Sequence, residues 1–305
     1  MRQMRSMFHL SKCLRSLPRH AARVALSMVL VLASASSVTH AKPDVRQRPA
    51  AHTFPESALR AYVAGGRATP LVLLHGYASA PEDWFPFVET IRPTPGAAFV
   101  FPEAPEVTHP PDGDEGRRAW WRLALDTYVR PGETLPDLSV AHPEGLASSA
   151  KKVATLLREV ERAKGVRRGD VILGGFSQGA MVSAEVAFAT DEPMRALILL
   201  SGTPVDLTEW RTGFARRRGL PVFIAHGRKD PILPFAGSER LAQELRQAGL
   251  KVTFFAFDGD HQIPVPVVNA LNDFLRRLSR KPVPTVLSAQ APPPATPGDK
   301  RAASP

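Results

Sequence analysis

Between residues 70 and 257 the chain alternates unbroken apolar runs with amphipathic stretches, and few folds accept that order. The runs lie at 70–75, 98–101, 170–174, 196–200, 221–226 and 252–257. They are continuous rather than alternating, which suits strands covered on both faces. Helical patterns fall near 81–91, 144–164, 178–190, 235–248 and 264–279. The clearest places Leu146, Val153, Leu156, Leu157 and Val160 on one side and stops at Gly165. Strand and helix in turn predict an α/β fold, a mostly parallel sheet with helices on both faces. Reactive groups in such sheets collect beyond the carboxyl ends of the strands, so the residues that follow each run are the ones to inspect.

One of those ends reads Gly175-Phe-Ser177-Gln-Gly179 and leads into a helix. A Gly-x-Ser-x-Gly turn between a strand and a helix exposes the serine oxygen at its tip, and the flanking glycines permit close backbone approach. A serine hydroxyl needs a base, and in this fold the partners follow in the order Ser, Asp or Glu, His. Only His226 and His261 follow Ser177. His226 closes an apolar run and reads as a packing or loop-fixing residue. His261 lies in the turn Phe257-Asp-Gly-Asp-His-Gln-Ile-Pro and is the expected general base. Ten carboxylates separate Ser177 from His261. Those in helical patterns, and Asp258 and Asp260 beside His261, are poorly placed to reach its ring. Asp230, in a proline-stiffened turn after the run 221–226, is the expected orienting acid, with Asp206 as the second candidate. The oxyanion donors expected are the backbone amide of Gln178, at a helix start, and that of Tyr77, in the His75-Gly-Tyr77 loop. His75 itself reads as a brace for that loop.

Four ordered motifs resemble one family. Leu74-His-Gly-Tyr, Gly174-Gly-Phe-Ser-Gln-Gly-Ala, His226-Gly-Arg-Lys-Asp-Pro-Ile-Leu-Pro and Asp260-His-Gln-Ile-Pro are similar to those of the phospholipase/carboxylesterase family of α/β-hydrolases, which includes the acyl-protein thioesterases. Pro143-Glu-Gly-Leu and Arg118-Ala-Trp-Trp look similar as well. The resemblance implies an α/β-hydrolase fold, a Ser177-Asp230-His261 triad, and hydrolysis of carboxyl esters or acyl thioesters with no cofactor and no metal. The loop after Gly76 departs from the pattern: it reads Tyr77-Ala-Ser-Ala-Pro-Glu-Asp-Trp where the thioesterases carry a Leu-Gly-Asp type. Esterase chemistry is therefore the expectation, with a peptidase, a polyester depolymerase or a non-catalytic binding protein as the alternatives.

The least regular stretch, 103–141, holds the acidic segment 110–116 together with Trp120, Trp121 and Tyr128. The acidic segment lacks the ligand spacing of a calcium loop and reads as a solvated turn. Trp120 and Trp121 are candidates for the wall of an acyl or alcohol pocket. No segment is long enough for a large lid, which points to short or medium acyl chains or an open groove.

Charge and the chain ends complete the expectation. The formal charge is +10, but residues 1–41 carry six basic side chains and no acid, leaving 33 basic against 29 acidic residues beyond them. No basic run with interleaved aromatics remains to follow a phosphate backbone, and a nucleic-acid partner is not expected. Residues 1–41 have the form of a secretory signal: a basic stretch to Arg23, an apolar run at 24–33, and small residues leading to Thr39-His-Ala41, where cleavage is expected. An apolar run of about ten residues is short of the ~20 needed to span a bilayer. The catalytic domain of 42–280 is thus expected to be exported, to the periplasm or beyond, with no stable membrane insertion. Its partner is a small ester or acyl substrate. Cys13, the one cysteine, falls in the signal and leaves the mature chain without a disulfide or thiol nucleophile. Residues 281–305, rich in proline and alanine, read as a disordered tail.

Overall fold

A computed structural model describes residues 49–108, 117–123 and 137–279. The signal segment 1–41, the acidic segment 110–116, Tyr128 and the tail 281–305 lie outside the described residues. The strands are β1 (Ala50–Phe54), β2 (Leu59–Gly65), β3 (Ala68–Leu74), β4 (Ala97–Pro102), β5 (Glu106–Val107), β6 (Arg118–Ala119), β7 (Ile172–Phe176), β8 (Ala196–Leu200), β9 (Pro221–Gly227) and β10 (Lys251–Phe257). The helices are α1 (Leu146–Lys164), α2 (Gln178–Ala189), α3 (Leu207–Phe214), α4 (Phe235–Gln247) and α5 (Val265–Ser279). Eight strands form one sheet in the order β1-β2-β4-β3-β7-β8-β9-β10, and β5 pairs with β6 in a separate ribbon. From β4 to β10 every neighbour is parallel; β1 with β2 and β2 with β4 are antiparallel. This is the architecture of the α/β-hydrolase fold.

The six apolar runs became β3, β4 and β7 to β10 because side chains of successive residues drop to opposite faces, and both faces are covered in all but the half-buried edge strand β10. In β8, Leu197 and Leu199 enter one core while Ile198 and Leu200 enter the other. Helices α1 to α4 close the first core through residues such as Leu157, Val186, Trp210 and Leu241. The second core is closed by α5, through Leu271 and Phe274, and by Trp84 and Phe87. Those two aromatics lie on a 3-10 helix, Pro81–Glu89, where a regular helix was expected; Pro86 inside it has no N–H for an α-helical ladder.

The hairpin of β1 and β2 and the helix α3 were not expected from the pattern. Both are short and half exposed, so their apolar signal is thin. Asp206 caps α3 by accepting from Glu209 N–H at 3.4 Å, and the Asp-x-x-Glu spacing was the available sign of a helix start.

The sheet assembles the site by register. Leu74 pairs with Gly175, Phe176 with Leu200, Leu200 with Ala225, and Phe257 with Gly227. β3, β7 and β8 end within one residue of each other and β9 and β10 run two residues further, so His75, Ser177, Ser201, Arg228 and Asp258 all leave the same end of the sheet. The chain leaves β3 for β4 on one side and returns to β7 on the other. The two strands flank the point where strand order reverses, where open sheets form their crevice.

Candidate active site

Ser177 sits at the tip of the turn between β7 and α2 with φ 55° and ψ −120°, a backbone conformation that a residue with a side chain rarely adopts. Strain of that kind costs about 1–3 kcal/mol and persists only where the surroundings impose it. Both glycines of the motif are required by those surroundings. A Cβ on Gly175 would lie 2.4 Å from the carbonyl carbon of Gly179, and one on Gly179 would lie 2.3 Å from Leu74 O. The serine amide donates to Leu200 O at 2.8 Å, tying the turn to the end of β8.

On one side of Ser177 the loops after β9 and β10 are joined by backbone bonds, Arg228 N–H to Phe257 O at 2.9 Å and Lys229 N–H to Gly259 O at 3.0 Å. Gly227 permits this approach, since a Cβ there would lie 2.3 Å from Gly259 O. The result is that Asp230 Oδ2 lies 2.7 Å from His261 Nδ1. Asp230 Oδ1 accepts from Ile232 N–H and Leu233 N–H, both at 2.9 Å, which fixes the carboxylate plane. Burial pushes the Asp230 carboxyl up, but hydrogen bonds from His226 and His261 outweigh it and hold the group well below the usual carboxylate range. Because the carboxylate accepts at Nδ1, neutral His261 carries its proton there and leaves Nε2 as the basic nitrogen. The ring packs on Phe176, the residue before the serine, at 4.7 Å between centroids. Among the described residues Nε2 is buried with no hydrogen-bond partner, and no bond joins it to Ser177 Oγ. Catalytic contacts of this type often close only with substrate in place.

Asp206 is engaged elsewhere. Besides capping α3 it accepts from His142 Nδ1 at 2.6 Å. The fold brings Asp230, and not Asp206, to His261.

The opposite side of Ser177 is built from neutral groups. A Cβ on Gly76 would lie 3.4 Å from Ser177 Cβ, so the His75-Gly-Tyr77 loop borders the serine directly. His75 is fully buried, and burial lowers its pKa to about 4. Ala104 N–H donates to Nε2 at 3.2 Å, so the ring proton is on Nδ1 and is donated to Gly76 O at 2.8 Å. The ring thus braces the loop, as its position in the sequence suggested. Gln178 follows the serine at the first position of α2, where the backbone N–H has no intrahelical partner.

Trp120 and Trp121 are each 1% exposed and belong to the first core. In the described residues they act as a bridge across the neutral side. Trp120 Nε1–H donates to His75 O at 2.9 Å, and Trp120 O accepts from Ser149 of α1. The Gln178 side chain holds the pair from below, Oε1 accepting from Trp120 N–H at 2.9 Å and Nε2–H donating to Trp121 O at 2.8 Å. Neither indole presents surface for a substrate to touch. Sequence reasoning missed this bridge and also the contact of His226 Nε2 with Asp230 Oδ2 at 3.1 Å; the four-residue spacing in His226-Gly-Arg-Lys-Asp230 was the only sign of the latter. Among the described residues no three His, Cys, Asp or Glu side chains cluster to hold a metal.

Comparison with known proteins agrees with the fold. Residues 64–279 match the family model described as phospholipase/carboxylesterase. Acyl-protein thioesterase 1 of Saccharomyces cerevisiae is 26% identical over 172 residues, covering 54% of this chain and 71% of the relative. That of Yarrowia lipolytica is 27% identical over 191 residues, covering 59% and 78%. Among solved structures, esterase PE8 superposes with a TM-score of 0.60 at 26% identity, covering 77% of this chain and all of that one. The Bacillus cereus carboxylesterase, at 22% identity and a TM-score of 0.55, covers 73% of this chain and 96% of its own and shares the fold. These matches support hydrolase activity on acyl esters or thioesters, and the chain belongs to the phospholipase/carboxylesterase family.

Proposed function

We propose that the chain is an exported serine carboxylesterase acting through Ser177, Asp230 and His261. The observation that carries the reading is the 2.7 Å bond from His261 Nδ1 to Asp230 Oδ2, formed beside a serine held at positive φ. In the first half-reaction His261 Nε2 takes the Ser177 proton as Oγ attacks the acyl carbon. The backbone amides of Gln178 and Tyr77 stabilise the oxyanion, a contribution of about 3–4 kcal/mol for a single donor. The intermediate collapses to an acyl-Ser177 ester, and His261 returns the proton to the departing alcohol. Water then attacks the acyl carbon as His261 accepts its proton, the intermediate collapses with cleavage of the bond to Ser177 Oγ, His261 returns the proton to that oxygen, and the acid leaves. Asp230 stays ionised, holding the tautomer and stabilising the imidazolium. No cofactor enters this scheme.

Replacing Ser177 by alanine removes the nucleophile and little packing. Ser177→Ala is expected to be folded and inactive toward p-nitrophenyl esters, and substantial turnover by the folded variant would overturn the assignment. A thioester reading stands second, favoured by the thioesterase names of the fungal relatives. Running esters of increasing chain length beside an acyl thioester and a lysophospholipid separates the two. Export is read from residues 1–41 and predicts a mature start at Lys42 by mass spectrometry of secreted material. A cell-associated chain that retains residues 24–33 would contradict it.

A further inference from the structure

His226 is one of the buried ionisable groups that the proposed chemistry leaves unused. It lies in β9, is wholly buried, and its ring is engaged at both nitrogens. Nδ1 is 2.7 Å from Ser238 Oγ, and that hydroxyl donates to Gly202 O at 2.6 Å. A hydroxyl has one proton; with that proton directed at Gly202, the oxygen accepts from the ring and Nδ1 carries hydrogen. Nε2 faces two acceptors, Leu233 O at 3.0 Å and Asp230 Oδ2 at 3.1 Å. A bare lone pair would oppose both of them, so Nε2 carries hydrogen as well.

We infer that His226 carries hydrogen on both ring nitrogens and is a positioning residue that shares the Asp230 carboxylate with His261, weakening the hold of that carboxylate on the protonated His261 ring. The inference rests on the reading of His261 as the base. The charged groups that face His226 are few. Asp230 comes from the turn after β9, and His261 from the turn after β10 lies across that carboxylate. Helix α4 presents the neutral Ser238 and the Phe235 ring, edge-on at 6.0 Å, with the Arg228 guanidinium 5.1 Å from the same ring. The loop after β8 presents the Gly202 carbonyl. Asp230 therefore receives two backbone amides and two imidazoles, and the His226 charge offsets much of the desolvation that an isolated buried carboxylate would suffer. His261 becomes positive when it takes the serine proton. With part of the Asp230 charge already neutralised, the carboxylate stabilises that state less than it would alone.

Neutron diffraction from crystals of the whole chain at neutral pD tests the protonation state without any reaction. Deuterium on both His226 nitrogens is expected, and a ring with a single deuterium would overturn the inference. The effect on catalysis is tested by His226→Gln, whose amide keeps an N–H near the Nε2 position and removes the charge. The acid limb of the kcat/KM profile is expected to move upward by about one pH unit. A folded, active variant with an unmoved limb would overturn the link to His261. Should the serine reading itself fail, that appears separately, as a chain that a fluorophosphonate does not label at Ser177.

Discussion

Ser177 stands between two walls that differ in their chemistry. The wall from β3 and the Trp120-Trp121 segment is neutral: a histidine held uncharged by burial, an indole, an amide side chain and backbone carbonyls. The wall from β9 and β10 is ionic: a carboxylate held well below its usual range between two imidazoles. In the proposed scheme the neutral wall positions the backbone amides that meet the oxyanion. In the same scheme the ionic wall takes up and returns the proton. Positioning and proton affinity are thus assigned to separate parts of one site, and substitutions in the two walls should fail in different ways.

The largest expected effect is on the ionic side. Asp230→Asn preserves shape but favours the wrong tautomer of His261, and kcat on an activated ester should fall by up to about 10⁴ with KM little changed. Asp206→Asn should leave kcat close to wild type, because its bonds go to Glu209 and His142 rather than to His261. A large loss confined to Asp206→Asn would move the acid to the other strand.

Gln178→Ala attacks the neutral wall. It leaves the proposed oxyanion amide in place but orphans the buried Trp120 N–H and Trp121 O, and each orphaned group costs about 1–3 kcal/mol. A lower unfolding free energy is expected together with a fall in kcat well short of that of Asp230→Asn. The pH limb should stay where it is, since no charge has changed. A shifted limb would show that the two walls are coupled.

The smallest effect concerns acid stability. Folded His75 has a pKa near 4, below the ordinary value of 6.5. The unfolded chain therefore binds the proton first, and the stabilisation is complete above pH 6.5 and is lost as pH falls toward 4. The loss amounts to roughly 3 kcal/mol at most. Asp230, whose folded pKa is depressed, contributes stability that is present above its ordinary 3.8 and lost only below that. The neutral wall is thus the first to be felt on acidification. Urea unfolding at pH 7, 5.5 and 4.5 should show a steeper decline for the wild type than for His75→Gln, and equal slopes would contradict the assignment.

Legibility differs between the walls for the same reason. The Gly175-Phe-Ser177-Gln-Gly179 turn is local, and continuous apolar runs report a sheet covered on both faces, so fold and serine could be read along the chain. Asp230 and His261 could be reached because the order of elements in this fold limits the choice. The Trp120-Trp121 bridge is invisible from spacing, because a tryptophan pair looks the same in a pocket wall and in a core. The pairing of His226 with Asp230 depends on Ser238 and Gly202, which are far apart in sequence and meet only in the folded chain.

The central claim is that Ser177 forms a covalent acyl-enzyme with His261 as its base. Peptide mapping by mass spectrometry after reaction with a fluorophosphonate tests it most directly. A single adduct on the peptide containing Ser177 is expected, forming far more slowly in Asp230→Asn. An adduct on another serine, or an active enzyme that takes none, would contradict the claim.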